Sequence, residues 1–448
     1  MKIIIAGAGA VGTHLAKLFA RERHDIVLMD DSAAKLEGLG SDFDLMTVCA
    51  SPLSIAGLRE AGAGRADLFI AVTPDEAHNM TSCMLARKLG ARKTVARVDN
   101  EENTTEENRA FFRSVGIDSI IYPEMLAGRE IMATIRRSWT RQWWEVHDGL
   151  LVMLGVKVRR GAPIIDVPLK ALCGPDSPYH VVAVKRGQDT LIPHGDDSLR
   201  HGDVVYFMTT PLYIPYVREQ AGKEDYPDVR SVIFMGGGDT TLQALRNLPD
   251  YMHAKVIEAD EAQCYRLGEL LKDRRHVLII HGDGRDLDLL KDEGIETAQA
   301  FAALTGSAEA NILACLAAKR LGVRKTVARV ESSDYISMAE SLDIGSIVNK
   351  KTIAAGHIYQ MMLKADVTNV KCLTVAKADV AEFVAAEGSK VTRRPVRDLG
   401  LPDTVTLGGL VRDGRGLLIN GMTQIQAGDT VMAFCLDNAI KKLERYFN

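Results

Sequence analysis

Two glycine-rich loops and two acids carry the chemistry this chain is equipped for. Gly7-Ala8-Gly9-Ala10-Val11-Gly12 is a G-x-G-x-x-G segment, and Asp30 follows Gly12 by 18 residues, close to the roughly 20 that separate loop and acid in dinucleotide-binding units. Each part has a physical reason. Gly7 permits a tight turn. Gly9 has no side chain to keep a pyrophosphate from the backbone N–H groups, and Ala8, Ala10 and Val11 present that backbone. Gly12 lets a helix pack closely on a strand. Asp30 can accept hydrogen bonds from ribose hydroxyls and repels a 2′-phosphate, which favours NAD over NADP. The competing reading is a glycine turn that only shapes the fold.

A second loop, Gly236-Gly237-Gly238-Asp239-Thr240-Thr241, keeps the first two glycines in place, and Glu258 repeats the acid. Thr241 stands where the third glycine belongs, and Met235 precedes the loop. We expect Thr241 to loosen helix–strand contact and Asp239 to repel phosphate. Nucleotide binding in the second half and a degenerate site that only preserves the fold both remain open.

In a doubly wound sheet, ligands sit beyond the strand C-termini. Thr73-Pro74 and its counterpart Thr305-Gly306 fall there, each followed by an asparagine, Asn79 and Asn311. Arg97 and Arg329 lie in the fifth-strand segments. They could reach phosphate oxygens, or serve instead in ion pairs within the fold.

The elements that position these residues follow from hydrophobic periodicity. Residues 2–6, 26–29, 45–49, 67–72 and 94–98 read as buried strands, and helical patterns fall over 10–22, 53–61 and 76–89. Strands alternating with helices imply a parallel, doubly wound sheet. The pattern then recurs. Leu89 to Val98 returns as Leu321 to Val330, identical at nine of ten positions and 232 residues on. Ile117-Asp118-Ser119-Ile120-Ile121 is matched by Ile344-Gly345-Ser346-Ile347-Val348. Further on, Leu191-Ile192-Pro193-His194-Gly195 before Gly202-Asp203 parallels Leu417 to Gly421 before Gly428-Asp429. The chain therefore reads as a duplicated two-part protein. The fold class is α/β: two tandem Rossmann-like doubly wound parallel-sheet domains, each followed by a small α+β domain of short alternating strands and one helical piece. The expected boundaries are 1–123, 143–221, 229–350 and 368–448.

A helix is expected from Leu126 to about Arg141, with Trp139, Trp143 and Trp144 at or just past its end. These aromatics suit packing between domains or a subunit contact. Glu219 to Pro227 is polar and reads as the linker between halves.

Composition excludes several classes. With 55 basic and 59 acidic residues the formal charge is −4, which argues against non-specific nucleic-acid binding. No apolar run approaches the ~18 residues of a membrane span, and the N-terminal run is too short for a signal peptide. The seven cysteines form no C-x-x-C pair, so no zinc site or disulfide framework is expected, and a reducing, cytoplasmic setting follows. No P-loop, G-x-S-x-G or H-E-x-x-H motif occurs. A dehydrogenase needs an acid/base group beside its nicotinamide. His180, His194 and His201 are poor candidates, since Asn420 and Ala427 replace the latter two in the repeat. No catalytic residue and no metal ligand are assigned, and the Asp196-Asp197 pair reads as turn residues. An NAD-dependent oxidoreductase remains the alternative class; a redox-sensing DNA regulator lacks a DNA-reading element.

The opening Lys2 to Gly12, the Val95-Ala96-Arg97-Val98 strand with its copy, and the Ile192-Pro193-x-Gly195…Gly202-Asp203 turn together resemble the TrkA family. These are the cytoplasmic regulatory subunits of bacterial Trk potassium-uptake systems, whose modules are RCK (regulator of potassium conductance) domains. The resemblance covers essentially the whole chain. It implies a non-enzymatic protein, homo-oligomeric as a tetramer or dimer, on the inner face of the cell membrane. Its partner would be an integral-membrane, TrkH-like potassium channel or transporter subunit, gated by exchange of NAD(H) or ATP/ADP. The family's nucleotide contacts map onto Gly7 to Val11, Asp30, Thr73, Pro74 and Arg97, and onto Met235 to Asp239, Glu258, Thr305, Gly306 and Arg329. The C-terminal faces of the Rossmann units and the Trp139–Trp144 segment are the two surfaces considered for docking.

Overall fold

The structure, a computed structural model, describes residues 1–20, 24–147, 149–174, 176–187, 189–226, 228–362, 367–373, 378–436 and 439–448. Pro227 of the expected linker lies outside them. The first half opens with β1 (Lys2–Ala6), β2 (Asp25–Asp30), β3 (Met46–Cys49), β4 (Leu68–Ala71), β5 (Thr94–Arg97) and β6 (Ser119–Ile121), which form one sheet in the order β3-β2-β1-β4-β5-β6. All five pairings are parallel. Ile3, Ile4 and Ile5 are fully buried because helices cover both faces of the central strand. The order reverses between β1 and β4, and that switch point is where such sheets hold ligands.

The first small sheet follows: β7 (Gln142–Val146), β8 (Leu151–Lys157), β9 (Tyr179–Arg186), β10 (Asp189–Leu191) and β11 (Val204–Thr209), in the order β10-β9-β11-β8-β7 and antiparallel throughout. The second half repeats both. β12 (Ser231–Met235), β13 (His253–Glu258), β14 (Val277–His281), β15 (Ala300–Ala303), β16 (Lys325–Arg329) and β17 (Ser346–Val348) give the same parallel order. β18 (Val367–Leu373), β19 (Ala378–Val384), β20 (Val405–Arg412), β21 (Arg415–Leu418) and β22 (Thr430–Leu436) give the same antiparallel one. The α/β class and its duplication are as the sequence implied. The first small unit has two short helices, Leu169–Leu172 and Ile214–Gln220, where one was expected.

The repeated Gly-Asp turns owe their form to one ion pair. Arg186 clamps Asp203 at 3.0 and 2.7 Å, and Arg412 clamps Asp429 at 2.8 and 2.6 Å. Both aspartates are almost fully buried and also accept a backbone N–H from the same turn, of Arg200 and Gln426 respectively. Such bidentate pairing fixes geometry as well as charge. The inner faces of the two small sheets share one core, in which Met153, Val182 and Tyr206 meet Val380, Val411 and Phe434. Gly416 is required there, since a Cβ would lie 2.4 Å from the carbonyl oxygen of Leu150.

The chain divides into two compact units, Met1–Leu126 with Lys350–Met362, and Ala127–Asn349 with Leu363–Asn448. Within the first, the helix Lys350–Met362 packs on the helix Ala10–Ala20, and Lys350 pairs with Glu124 at 2.8 Å. Within the second, Gly128 lies so close to the backbone of Gln243 and Ala244 that a Cβ would sit 2.6–2.7 Å from it.

Two expectations are corrected. The connecting helix runs Pro123–Arg136, not Leu126 to Arg141, because the chain turns at Thr140, whose N–H bonds to Arg137. Trp143 and Trp144 therefore lie on β7 rather than at a helix end; Arg137 stacks on the Trp143 ring at 3.4 Å. Trp139 is buried in the core of the first small unit. Within the stretch expected to link the halves, two residues are packed rather than open to water. Lys223 is only 4% exposed and Ala221 is fully buried.

Candidate functional site

At the switch point of the first sheet, Gly7 takes φ +108°, a left-handed value that favours glycine. A Cβ there would come within 2.9 Å of the Thr73 nitrogen. Gly12 has no room for a side chain either, since its Cβ would fall 1.8 Å from the Gly7 carbonyl oxygen. Gly9 differs, with nothing within 4 Å of a Cβ position. Two of the glycines are thus forced by packing, and the third borders open space, as close approach of a ligand requires. The helix Ala10–Ala20 starts at this loop, so Ala10 and Val11 offer N–H groups without intrahelical acceptors.

Asp30 ends β2 and is 6% exposed. It accepts the N–H of Ala8 at 2.8 Å and that of Ser32 at 3.0 Å, with Lys35 at 3.2 Å. Burial alone would raise its carboxyl, but the Ala8 and Ser32 amides and Lys35 outweigh it and hold the group below its ordinary value. The acid therefore orients the glycine loop itself, a duty additional to the ribose contact expected from sequence.

Thr73 turns the chain at the end of β4. Its N–H and hydroxyl both donate to Asn79 Oδ1 at 2.8 Å, while Asn79 Nδ2 donates to the carbonyls of Thr73 and Arg97 at 3.0 Å each. Pro74 sits in the same turn, which closes by a bond from the Asp75 N–H to the Thr73 hydroxyl. Arg97 pairs with Asp99 at 2.8 Å, and its Nε has no partner among the described residues. Burial raises the Asp99 carboxyl, opposed by Arg97 and aided by Glu124 and Glu76. The guanidinium is anchored locally, and its remaining donors stand at the strand end.

The second half repeats this architecture around a cavity of about 480 Å3. Met235, Gly236, Gly238, Glu258, Thr305, Gly306 and Arg329 all line it. Gly236 has φ +96°, and the Gly237 N–H donates to Glu258 at 2.5 Å. Asn311 repeats the asparagine staple, bonding Thr305 at 2.7–3.0 Å and the Arg329 carbonyl at 2.9 Å. Arg329 pairs with Glu331 at 2.9 Å.

Both expected defects of this loop have local remedies. Asp239 is paired with Arg266 at 2.9 Å, which offsets its charge. Thr241 is fully buried and donates its hydroxyl to the Gly236 carbonyl at 2.6 Å. In the first half that same carbonyl position excludes any Cβ at Gly12; here the helix start accommodates the larger residue and ties it in.

Sequence reasoning missed the loop after β14. Asp283, Gly284 and Arg285 line the second cavity. Arg285 clamps Asp283 at 2.7–3.2 Å, which holds the Asp283 carboxyl down at about 2. A Cβ at Gly284 would meet Met235 at 2.4 Å. The signal was present as Gly282-Asp283-Gly284-Arg285 directly behind a strand. Among the histidines, burial lowers His180 to about 4, and His194 lies on the surface, 3.8 Å from Asp197. Neither meets the clefts. Among the described residues, no helix is long and apolar enough to cross a membrane.

The TrkA-N domain model matches residues 3–123 and 232–350, and the TrkA-C domain model matches 380–448. The chain is 31% identical over 454 residues to the Trk system potassium uptake protein TrkA of Halomonas elongata, covering 100% of this chain and 98% of that one. The TrkA of Haemophilus influenzae is 30% identical over 455 residues with the same coverage. Among solved structures, the GsuK channel bound to NAD superposes with a TM-score of 0.59 at 15% identity, over 100% of this chain and 78% of that one. GsuK bound to ADP gives 0.50 at 13%, over 80% and 68%. These likenesses show a shared fold. The chain belongs to the TrkA family, the non-enzymatic regulatory proteins of Trk potassium uptake.

Proposed function

We propose that this chain senses nucleotide in its two Rossmann clefts and passes the bound state to a membrane-embedded, TrkH-like potassium channel or transporter subunit. The ligand pairs are NADH/NAD and ATP/ADP. On this reading the site residues are Gly7, Ala8, Gly9, Ala10, Val11, Gly12, Asp30, Thr73, Pro74 and Arg97 in the first cleft. In the second they are Gly236, Gly237, Gly238, Asp239, Glu258, Thr305, Gly306 and Arg329. The functional units are 1–123, 143–221, 229–350 and 368–448. The protein works as a homo-oligomer, a tetramer or dimer, peripheral on the inner membrane face.

The observation that carries the reading is the twofold recurrence of one cleft: a glycine loop tied to an acid at the end of the second strand, and a threonine turn stapled by a buried asparagine to an arginine strand. Phosphates placed there meet helix-start N–H groups. A ligand shifts a two-state assembly only by its different affinity for the two states, and coupling of roughly 1–3 kcal/mol is typical. Nucleotides that differ in charge give the clefts that difference.

The test is potassium flux into vesicles holding the membrane subunit, with the purified chain added. Flux should respond differently to NADH and NAD or to ATP and ADP, and the response should vanish in a Gly9→Asp/Gly238→Asp double variant. Equal flux with every nucleotide would overturn the reading.

A further inference from the structure

Where β8 and the 219–226 segment of the first small unit approach β16 and β17 of the second Rossmann sheet, basic side chains converge on one recess. All lie in the second compact unit. Arg141, Lys157 and Lys319 share a single carboxylate, Asp343, with the two lysines at 2.9 and 3.3 Å. Arg159, Lys223 and Arg324 gather on the Tyr226 ring, at 5.5, 4.2 and 5.5 Å from its centroid. Lys325, 3% exposed, completes the wall by donating to the carbonyl of Thr140 and to Ser346 Oγ.

Seven basic side chains thus line the recess, and one carboxylate answers them. Lys223 is the clearest sign of a missing partner. It is 96% buried, and its ammonium rests on the Tyr226 ring, 4.2 Å from the centroid, rather than on a carboxylate. Uncompensated buried charge is costly. The surroundings show that cost: burial, with Arg159 and Arg141 adding to it, lowers Lys223 to about 7. Lys325 is pushed down by burial and by Arg141 and Lys223.

From this convergence of unanswered cations we infer an anion site, distinct from both nucleotide clefts, that takes one compact tetrahedral oxyanion of the phosphate class. Size decides the class. The recess has about 30 Å3 of free volume, room for roughly two waters. A nucleoside does not fit, whereas a single phosphate fits once the flexible lysine ends move aside. A free ion is favoured over the phosphate of a lipid headgroup, because the most buried cations, Lys223 and Lys325, lie inside the recess rather than on its rim. The bound ion would tie the first small unit to the second Rossmann sheet through the charges that now repel one another.

The probe is radiolabelled inorganic phosphate, measured by equilibrium dialysis on the full-length protein. The Gly9→Asp/Gly238→Asp background removes phosphate bound at the glycine loops. One phosphate per chain at millimolar or lower concentration is expected, competed by sulfate and not by vesicles bearing phosphatidic acid. Lys223→Met should weaken binding at least tenfold while leaving the thermal transition in place. In a second readout, the Lys223 side-chain NMR signal should titrate at higher pH when phosphate is present. Absence of saturable phosphate binding, full affinity in a folded Lys223→Met variant, or competition by the vesicles would each overturn the inference.

Discussion

The side-chain amide of Asn79 donates to the backbone carbonyl of Arg97 at 3.0 Å, and Asn311 does the same to Arg329 at 2.9 Å. Both asparagines are fully buried. Each binds the threonine turn to the neighbouring strand end, so the two sides of a cleft move as one piece. Asn79→Ala removes the acceptor for two Thr73 donors and the donor for two carbonyls. These four bonds are only part-buried, so water takes up some of the freed groups; at roughly 1–3 kcal/mol for each group that stays unsatisfied, we expect about 3 kcal/mol of destabilisation, read as a lower urea midpoint for the first half.

The glycines of the first loop separate cleanly by space. Gly12→Ala places a methyl 1.8 Å from the Gly7 carbonyl oxygen, so it should cost more than about 2 kcal/mol, since overpacking against backbone offers no rotamer to escape into. Gly9→Ala meets nothing within 4 Å and should leave the thermal midpoint within about 2 °C of wild type. Equal midpoints for the two variants would contradict the loop geometry.

Arg266 offsets Asp239 at the mouth of the second glycine loop. Both side chains are about half exposed, so the pair is worth little to stability, about 0–1 kcal/mol. Its effect belongs to binding. Arg266→Ala should weaken nucleotide binding in the second cleft about threefold, and Asp239→Asn should strengthen it by a similar factor. Titrations in a Gly9→Asp background isolate that cleft.

Asp30 links loop order to acidity. Its folded carboxyl titrates below the ordinary value of 3.8, so the unfolded state binds more protons between the two values. Its stabilising contribution is complete above about pH 5 and is lost as pH falls through the folded value. Asp30→Asn should flatten the acid limb of the stability curve of the first half. An unchanged acid limb in Asp30→Asn would show that the Ala8 contact does not hold the loop.

Much of this was legible in the sequence, and the remainder was not for identifiable reasons. The strand–helix alternation and the repeated Leu89–Val98 segment carried the fold, because periodicity and duplication are local signals. Gly7, Gly9 and Gly12 could be ranked only in three dimensions, where the carbonyl of Gly7 excludes a Cβ at one and open space lies beside another. Asp239 looked repulsive because Arg266 stands 27 residues away in sequence. Lys223 drew no reading of its own inside a polar segment assigned as a linker, because the residues that enclose its recess, Lys319, Arg324 and Lys325, stand about 100 residues away. The return of Lys350–Met362 to the first compact unit is likewise a long-range event without a local pattern.

The central claim is that both glycine loops hold nucleotide. Its most direct measurement is calorimetric titration of the purified protein with NADH, NAD, ATP and ADP, beside Gly9→Asp and Gly238→Asp variants. A Cβ at either position meets nothing within 4 Å, so the carboxylates enter ligand space without disturbing the fold. The account predicts two sites per chain, one removed by each variant. Failure of every nucleotide to bind the wild type, or binding that survives the double variant, would contradict it.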